Sequence, residues 1–294
     1  MPLIKRWHRD WKAKLFIYLS AGIVILSILA ITLFLLIKGS QSFIKDGVNI
    51  IQLVTGTDWR PTDQSPSYGA FSFIFGSFAV TLLAAFFAAP IAIGSAIYMT
   101  EMAPSGFRKI YRPMIEILVG IPSVVYGFIG LSVLVPFMRG HIGGLGFGIL
   151  SAAIVCAVMI LPTVTSVAME AVQSVPGYYR EASYALGSTR WQTIYRVVMP
   201  QAWPMLMTAV ILGMARAFGE AMAVQMVIGN ASVIPHSLME PAATLTTVIT
   251  LNLGNTTYGS SYNDVLWSLG LILLLMSYLF ILAIRLLSRR RQKI

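Results

Sequence analysis

A single cysteine, Cys156, stands among 294 residues, so neither a disulfide framework nor a thiolate metal site can be assembled within this chain. It lies inside an apolar run, and packing is the role that position supports. Charge is equally scarce: Asp, Glu, Lys and Arg together make up 11% of the residues, where a soluble domain carries about 25%. No Gly-Lys dipeptide occurs. That excludes the loop in which glycine-rich amides followed by Gly-Lys cradle the phosphates of ATP. No His-Glu-x-x-His arrangement occurs either, and His8, His141 and His236 are too scattered to suggest a ligand set. A nucleophile paired with a base is also missing, which leaves an enzyme reading without support. Internal repeats and low-complexity tracts are absent, so any transporter symmetry must come from a partner chain.

What the chain has in excess is apolar sequence. Hydrophobic residues form 57% of it and the mean hydropathy is +0.77, against about 45–50% apolar residues in a soluble domain. The net charge of +10 does not point to nucleic acid, because the basic residues flank apolar stretches and build no separate basic domain. Lipid is the solvent expected for most of the chain. A helix crossing about 30 Å of hydrocarbon needs roughly 20 apolar residues, and every backbone polar group must be paired within it. Six segments qualify: Leu15–Ile37, Phe71–Met99, Met114–Val135, Ile149–Ala168, Ala202–Ile228 and Val265–Ile284. The first is uncharged over its whole length, too long for a signal-peptide core and followed by no small-residue cleavage site, so it is expected to stay as a span. Pro90, Pro122 and Pro162 mark places for bends or broken turns.

The fold expected is all-α, a polytopic membrane protein with six transmembrane helices. Lys and Arg are retained on the cytoplasmic side of a membrane. Sixteen of them fall in the termini and alternate loops of one side, four on the other, and Arg216 is left within a span, which accounts for all 21. Both termini are therefore expected to be cytoplasmic. The organisation that follows is a cytoplasmic segment 1–14, a first span 15–37, an irregular external loop 38–68, a five-helix core 69–285 with a cytoplasmic loop 170–201, and a basic tail 286–294.

That cytoplasmic loop has a specific pattern. Good helix formers run through Arg180-Glu181-Ala182-Ser183-Tyr184-Ala185-Leu186 to Gly187, which can adopt the left-handed conformation that ends a helix. Ser188 or Thr189 can cap a following helix over Arg190 to Met199, and Pro200 is expected to break the chain before the membrane. The segment resembles the EAA loop of ABC importer permeases: Glu-Ala-Ala, three residues, Gly, nine residues, an aliphatic, one residue, Leu, Pro. Glu181, Ala182, Gly187, Val197 and Pro200 fall at those spacings, with Ser183 in place of the second Ala and Met199 in place of Leu. The resemblance implies a type I ABC importer permease fold, in which this loop docks on a separate ATPase subunit. ATP and Mg would then be bound by that partner, with no cofactor in this chain. The plain alternative is a charged interfacial hairpin.

Arg216 and Glu220 lie within the fifth predicted span. A guanidinium inside a bilayer costs about 2.5–3.5 kcal/mol even on lenient scales, so Arg216 should face a cavity or a partner. A spacing of four predicts one helix face and an ion pair. Two roles are compatible with that: a structural pair, or an anion site in which the guanidinium forks to phosphate oxygens. The stretch Arg216 to Asn230, together with Phe71-Ser72-Phe73-Ile74-Phe75-Gly76-Ser77 and Ile121-Pro122-Ser123-Val124-Val125-Tyr126-Gly127, is similar to the C-type permease of phosphate-specific importers. Where that family has Glu-Thr-Met, this chain has Glu220-Ala221-Met222, which removes one hydroxyl. The resemblance implies a phosphate pathway, a heterodimer with a related A-type permease, two ATPase copies and an external phosphate-binding protein, all in a bacterial inner membrane. Other oxyanions (sulfate, molybdate, phosphonate) and a stand-alone anion channel or carrier are the alternatives. The segment Asn230 to Asp264 has no Lys or Arg and is expected to meet the binding protein or to serve as a polar connector.

Overall fold

The computed structural model describes residues 2–290, and side chains for residue 11 and residues 14–282. Most of the basic side chains of segment 1–14 and all those of the tail 286–294 lie outside the described residues. In chain order the elements are α1 (Pro2–Gly39), α2 (Gln41–Ile44), α3 (Ile50–Thr55), β1 (Trp59–Arg60), β2 (Ser67–Tyr68), α4 (Phe71–Ile97), α5 (Ser105–Gly120), α6 (Ser123–Ile129) and α7 (Val135–His141). Then follow α8 (Ile149–Gln173), α9 (Gly177–Ala185), α10 (Arg190–Thr193), α11 (Met199–Phe218), α12 (Met222–Val227), α13 (Leu245–Asn252) and α14 (Ser261–Arg290). π-helical turns at Tyr98–Met102, Gly130–Leu134 and Ile194–Val198 extend or join helices.

Among the described residues six helical stretches are long and apolar enough to cross a bilayer: Lys14–Ile44, Phe71–Met102, Ser123–His141, Ile149–Gln173, Arg190–Phe218 and Ser261–Leu282. Three expectations are corrected in detail. The third span does not begin at Met114. Pro122 disfavours helix at the residue before it, and Ile121 is extended (φ −67°, ψ 128°), so Met114–Gly120 belongs to α5 and the crossing stretch starts at Ser123. The fifth span is not one helix from Ala202 to Ile228, because the helix ends at Phe218 and α12 begins only at Met222. At its other end Pro200 breaks nothing. The helix runs from Arg190 through the π-helical turn Ile194–Val198, and Pro200 sits in the first turn of α11, where its missing N–H is tolerated.

The loop 38–68 is also more ordered than expected. α2 and α3 form in it, Asn49 caps α3 by accepting the Ile51 and Gln52 amides, and β1 pairs antiparallel with β2. Trp59 packs edge-on against Phe73, Tyr68 and Tyr262, which pins this cap to the ends of α4 and α14.

The centre of the molecule is α8, with α4 as its most extensive partner and α11 next. Hydrophobic burial cannot drive helices together in lipid, so close packing of small residues must. α4 buries Ala84, Ala88, Ala92 and Ala96, and α8 buries Ala152, Ala153 and Ala157. Gly213 of α11 admits Val164 of α8 so closely that a Cβ there would lie 2.4 Å from a Val164 methyl. Gly127 of α6 likewise meets the α12 backbone at Ala223. α1 stands apart from this core. Its described apolar side chains are mostly exposed, as suits a surface in lipid; its C-terminal part meets α14 through Phe34 against Trp267, and α2, which follows it, does so through a buried Ser42–Ser268 hydrogen bond of 2.6 Å.

Candidate functional site

Two places gather the chain's chemistry: the hairpin between α8 and α11, and the break between α11 and α12. In the hairpin, α9 ends on a six-residue closure. The Ser188 amide donates to the Ser183 carbonyl at 3.2 Å and the Gly187 amide to the Tyr184 carbonyl at 2.9 Å, with Gly187 at φ +78°. This pair of bonds defines a Schellman turn, which needs a left-handed residue at that glycine. Of the two expected caps the structure uses Thr189, in a reciprocal capping box with Gln192. Ser183 turns inward to Thr193 at 2.9 Å and joins the two arms, while Glu181 and Ala182 are exposed. The outer surface is aromatic and apolar, with Leu186 88%, Tyr195 68% and Trp191 64% exposed. The Tyr178 and Tyr179 rings lie tilted against each other with centroids 4.4 Å apart. The hydrogen bond that Tyr178 shares with Tyr179 favours its protonated form and raises the Tyr178 phenol above its ordinary value. A rigid, apolar knuckle of this kind can seat in a cleft on another protein.

Sequence reasoning missed what holds the knuckle. Arg180 donates through Nε and Nη2 to the Glu101 carboxylate (3.1 and 2.6 Å to Oε1), and through Nη1 and Nη2 to the carbonyls of Val175 and Val172 (2.7 and 3.0 Å). Glu101 is in the π-helical turn that ends α4. The available signal was an acidic residue at the end of an apolar run, on the same side of the membrane as an arginine; only the fold supplies the pairing across 79 residues.

In the break, the expected Arg216–Glu220 ion pair is not formed among the described residues. Helix i,i+4 geometry cannot apply, because α11 stops at Phe218. Glu220 is occupied otherwise: its Oε1 accepts the Ala223 amide at 3.2 Å, the job of a residue that caps a helix start. Its carbonyl, freed by the break, accepts the Thr246 hydroxyl of α13 at 2.8 Å. Thr246 and Gln225, which bonds the Thr250 hydroxyl at 3.2 Å, were not anticipated here. These bonds answer the requirement that backbone opened inside a bilayer be satisfied by protein or face water.

Arg216 is half-buried and donates one hydrogen bond, from Nη1 to Thr163 Oγ1 of α8 at 2.8 Å. Thr163 lies ten residues from the C-terminal end of α8 and fourteen from its N-terminal end, about 15 and 21 Å at 1.5 Å per residue. The guanidinium is therefore level with the central part of α8, a helix long enough to cross a bilayer. It sits in the last turn of α11, where the carbonyl end of the helix favours a cation without saturating its donors. No group of three or more His, Cys, Asp or Glu able to hold a metal occurs among the described residues.

A helical bundle with α1 outside the core, a rigid hairpin beyond it and a charged break within it defines the membrane permease of an ABC importer. The chain belongs to the family described as binding-protein-dependent transport system inner membrane component, whose model matches residues 88–293. It is 58% identical over 282 residues to the probable ABC transporter permease protein YqgH of Bacillus subtilis, covering 96% of this chain and 91% of that one. It is 34% identical over 301 residues to the phosphate transport system permease protein PstC of Xylella fastidiosa, with the same coverage. Among solved structures, a bacterial alginate ABC transporter in complex with its pentasaccharide-bound periplasmic protein aligns with a TM-score of 0.65 at 19% identity, over 96% of each chain. The methionine transporter MetNI, in an inward-facing conformation, aligns at 0.60 and 21% identity, over 75% of this chain and 95% of that one. The protein is thus a multi-pass inner-membrane permease subunit and is not itself an enzyme.

Proposed function

We propose that this chain is the C-type permease of an ATP-driven phosphate importer, forming half of the translocation pathway with a related A-type permease. The carrying observation is Arg216: a guanidinium, level with the central part of α8, whose one hydrogen bond is to a neutral hydroxyl, with Glu220 diverted to the start of α12. A planar fork of five donors matches the oxygens of a phosphate. The similarity to permeases named for phosphate transport supports the choice of anion. On this reading the basic side is cytoplasmic, with both termini there.

The hairpin of α9 and α10 docks on the ATPase, with Glu181, Ala182 and Gly187 on its exposed side and Ser183 tying its arms. ATP and Mg belong to that partner. ATP binding draws the two hairpins of the heterodimer together and opens the bundle outward, and an external phosphate-binding protein delivers the anion to a pathway lined by Arg216 and Glu220. Phosphate is held by a charge and released because one arginine, already engaged with Thr163, binds it only moderately.

The test is binding of labelled phosphate to the purified complex with sulfate in competition. Phosphate should be retained against an equal concentration of sulfate; displacement would reject phosphate as the cargo. Phosphate movement by this chain alone in liposomes, with no ATPase, would reject the permease-subunit reading itself.

A further inference from the structure

Glu101 is one of the few buried charged residues among the described residues, with 9% of its surface exposed, and Arg180 keeps 20%. Their contact joins three elements. The Arg180 side chain from α9 reaches the Glu101 carboxylate in the turn that ends α4, the Val172 carbonyl at the end of α8 and the Val175 carbonyl just beyond it. From the second arm of the hairpin, Arg190 Nη2 donates to the Glu101 backbone carbonyl. One residue thus receives a guanidinium from each arm of the hairpin, one on its carboxylate and one on its carbonyl. The π-helical turn Tyr98–Met102 places it there, since one extra residue in a turn re-aims the side chains beyond it.

The consequence is mechanical. α9 and α10 are joined to each other by Ser183–Thr193 and reach α8 and α11 through the chain. Their link to α4 is non-covalent, and Glu101 is at its centre. α4 packs along α8 over most of its length and meets α13, whose Leu245 amide donates to Ser77 of α4 at 3.0 Å and whose Thr246 hydroxyl donates to the Glu220 carbonyl at the break. We propose that Glu101 is the positioning residue that makes α4 and the hairpin one lever, so that movement of the hairpin by its ATPase is transmitted to α4 and not absorbed by a slipping joint. This rests on the docking role of the hairpin proposed above. A bidentate, desolvated pair suits such a joint because it is directional as well as strong, and removing one partner leaves a largely buried charge without its fork-to-carboxylate contact.

The experiment uses the complex purified through this chain and reconstituted in liposomes, and reads anion transported per ATP hydrolysed. Glu101→Gln should keep the ATPase bound at the wild-type ratio and lower that quotient about fivefold or more, the scale of a lost coupling free energy. Arg180→Gln should do the same, and the double variant should be no worse than either single one, since both remove one contact. If Glu101→Gln prevents assembly, Glu101→Asp and Arg180→Lys keep the charges while loosening the fork, and the quotient should fall by about half or more with the complex intact.

Gly187→Val in the hairpin turn serves as the comparison. If it uncouples the ATPase while the Glu101 and Arg180 variants keep the wild-type quotient, the joint is overturned and docking stands. If Gly187→Val also leaves coupling intact, the docking reading falls and takes the joint with it.

Discussion

At the hairpin, Arg180 directs its donors to two carboxylate oxygens and two carbonyls; beside the middle of α8, Arg216 directs one donor to one hydroxyl. Both are arginines in a chain with few charges, and both stand near a glutamate. In the first case the glutamate is used up on the arginine, in the second it is used up on the backbone of α12. The difference separates a guanidinium that holds from one that exchanges. A saturated cation fixes elements relative to each other and has nothing to offer a ligand. A cation with open donors, inside a bilayer where opening it costs energy, is stable only when water or an anion completes it.

The largest expected break in this comparison is Arg216→Gln. It should reduce uptake to background while the complex assembles at wild-type yield, measured by transport in cells and by co-purification of the ATPase. Loss of the folded complex instead would make Arg216 a second Arg180. At the other site, Arg180→Ala leaves Glu101 buried without its partner, which costs about 3 kcal/mol, the lower end for a broken buried pair because Arg180 keeps some exposure. Thermal unfolding of the complex measures this, and a variant as stable as the wild type would show the joint to be ornamental.

Gly187→Val comes next, since a β-branched residue in the left-handed region costs about 1–2 kcal/mol. It should abolish stimulation of the ATPase by the rest of the complex, and full stimulation would separate the turn from coupling. Smallest is Thr189→Ala, which removes one side of the capping box and should lower stability by about 1 kcal/mol with coupling retained. A larger loss of coupling than of stability would mean that the second arm contacts the ATPase directly.

These two sites were unequally legible in the sequence. The hairpin turn could be read because its signals are local: a glycine where the helix must reverse, and a Ser188-Thr189 pair of which one caps the next helix. Its anchor could not, since Glu101 and Arg180 carry no mark of each other until α4 and α8 pack side by side. The break was misread as continuous helix because Ala202 to Ile228 is apolar throughout apart from Arg216, Glu220 and a few polar side chains. What interrupts it is tertiary: Thr246, 26 residues away, takes the carbonyl that a helix would have used. Once helix continuity was assumed, an Arg216–Glu220 ion pair followed from spacing alone, and it failed with the helix. Number and type of membrane spans were legible for the opposite reason, that bilayer thickness sets a minimum length for every crossing. Pro200 misled in the other direction, because the π-helical turn Ile194–Val198 carries the helix past a residue that usually ends one.

The open state of Arg216 can be measured directly through the accessibility of its position. Cys156 is the natural cysteine of the chain and is fully buried, so Arg216→Cys introduces one reportable thiol. A charged, membrane-impermeant thiol reagent should modify that cysteine in the assembled complex, at rates that differ between nucleotide-free and ATP-bound states as the pathway changes sides. A thiol that resists the reagent in both states would show position 216 to be sealed between helices, and would contradict an anion pathway at this residue.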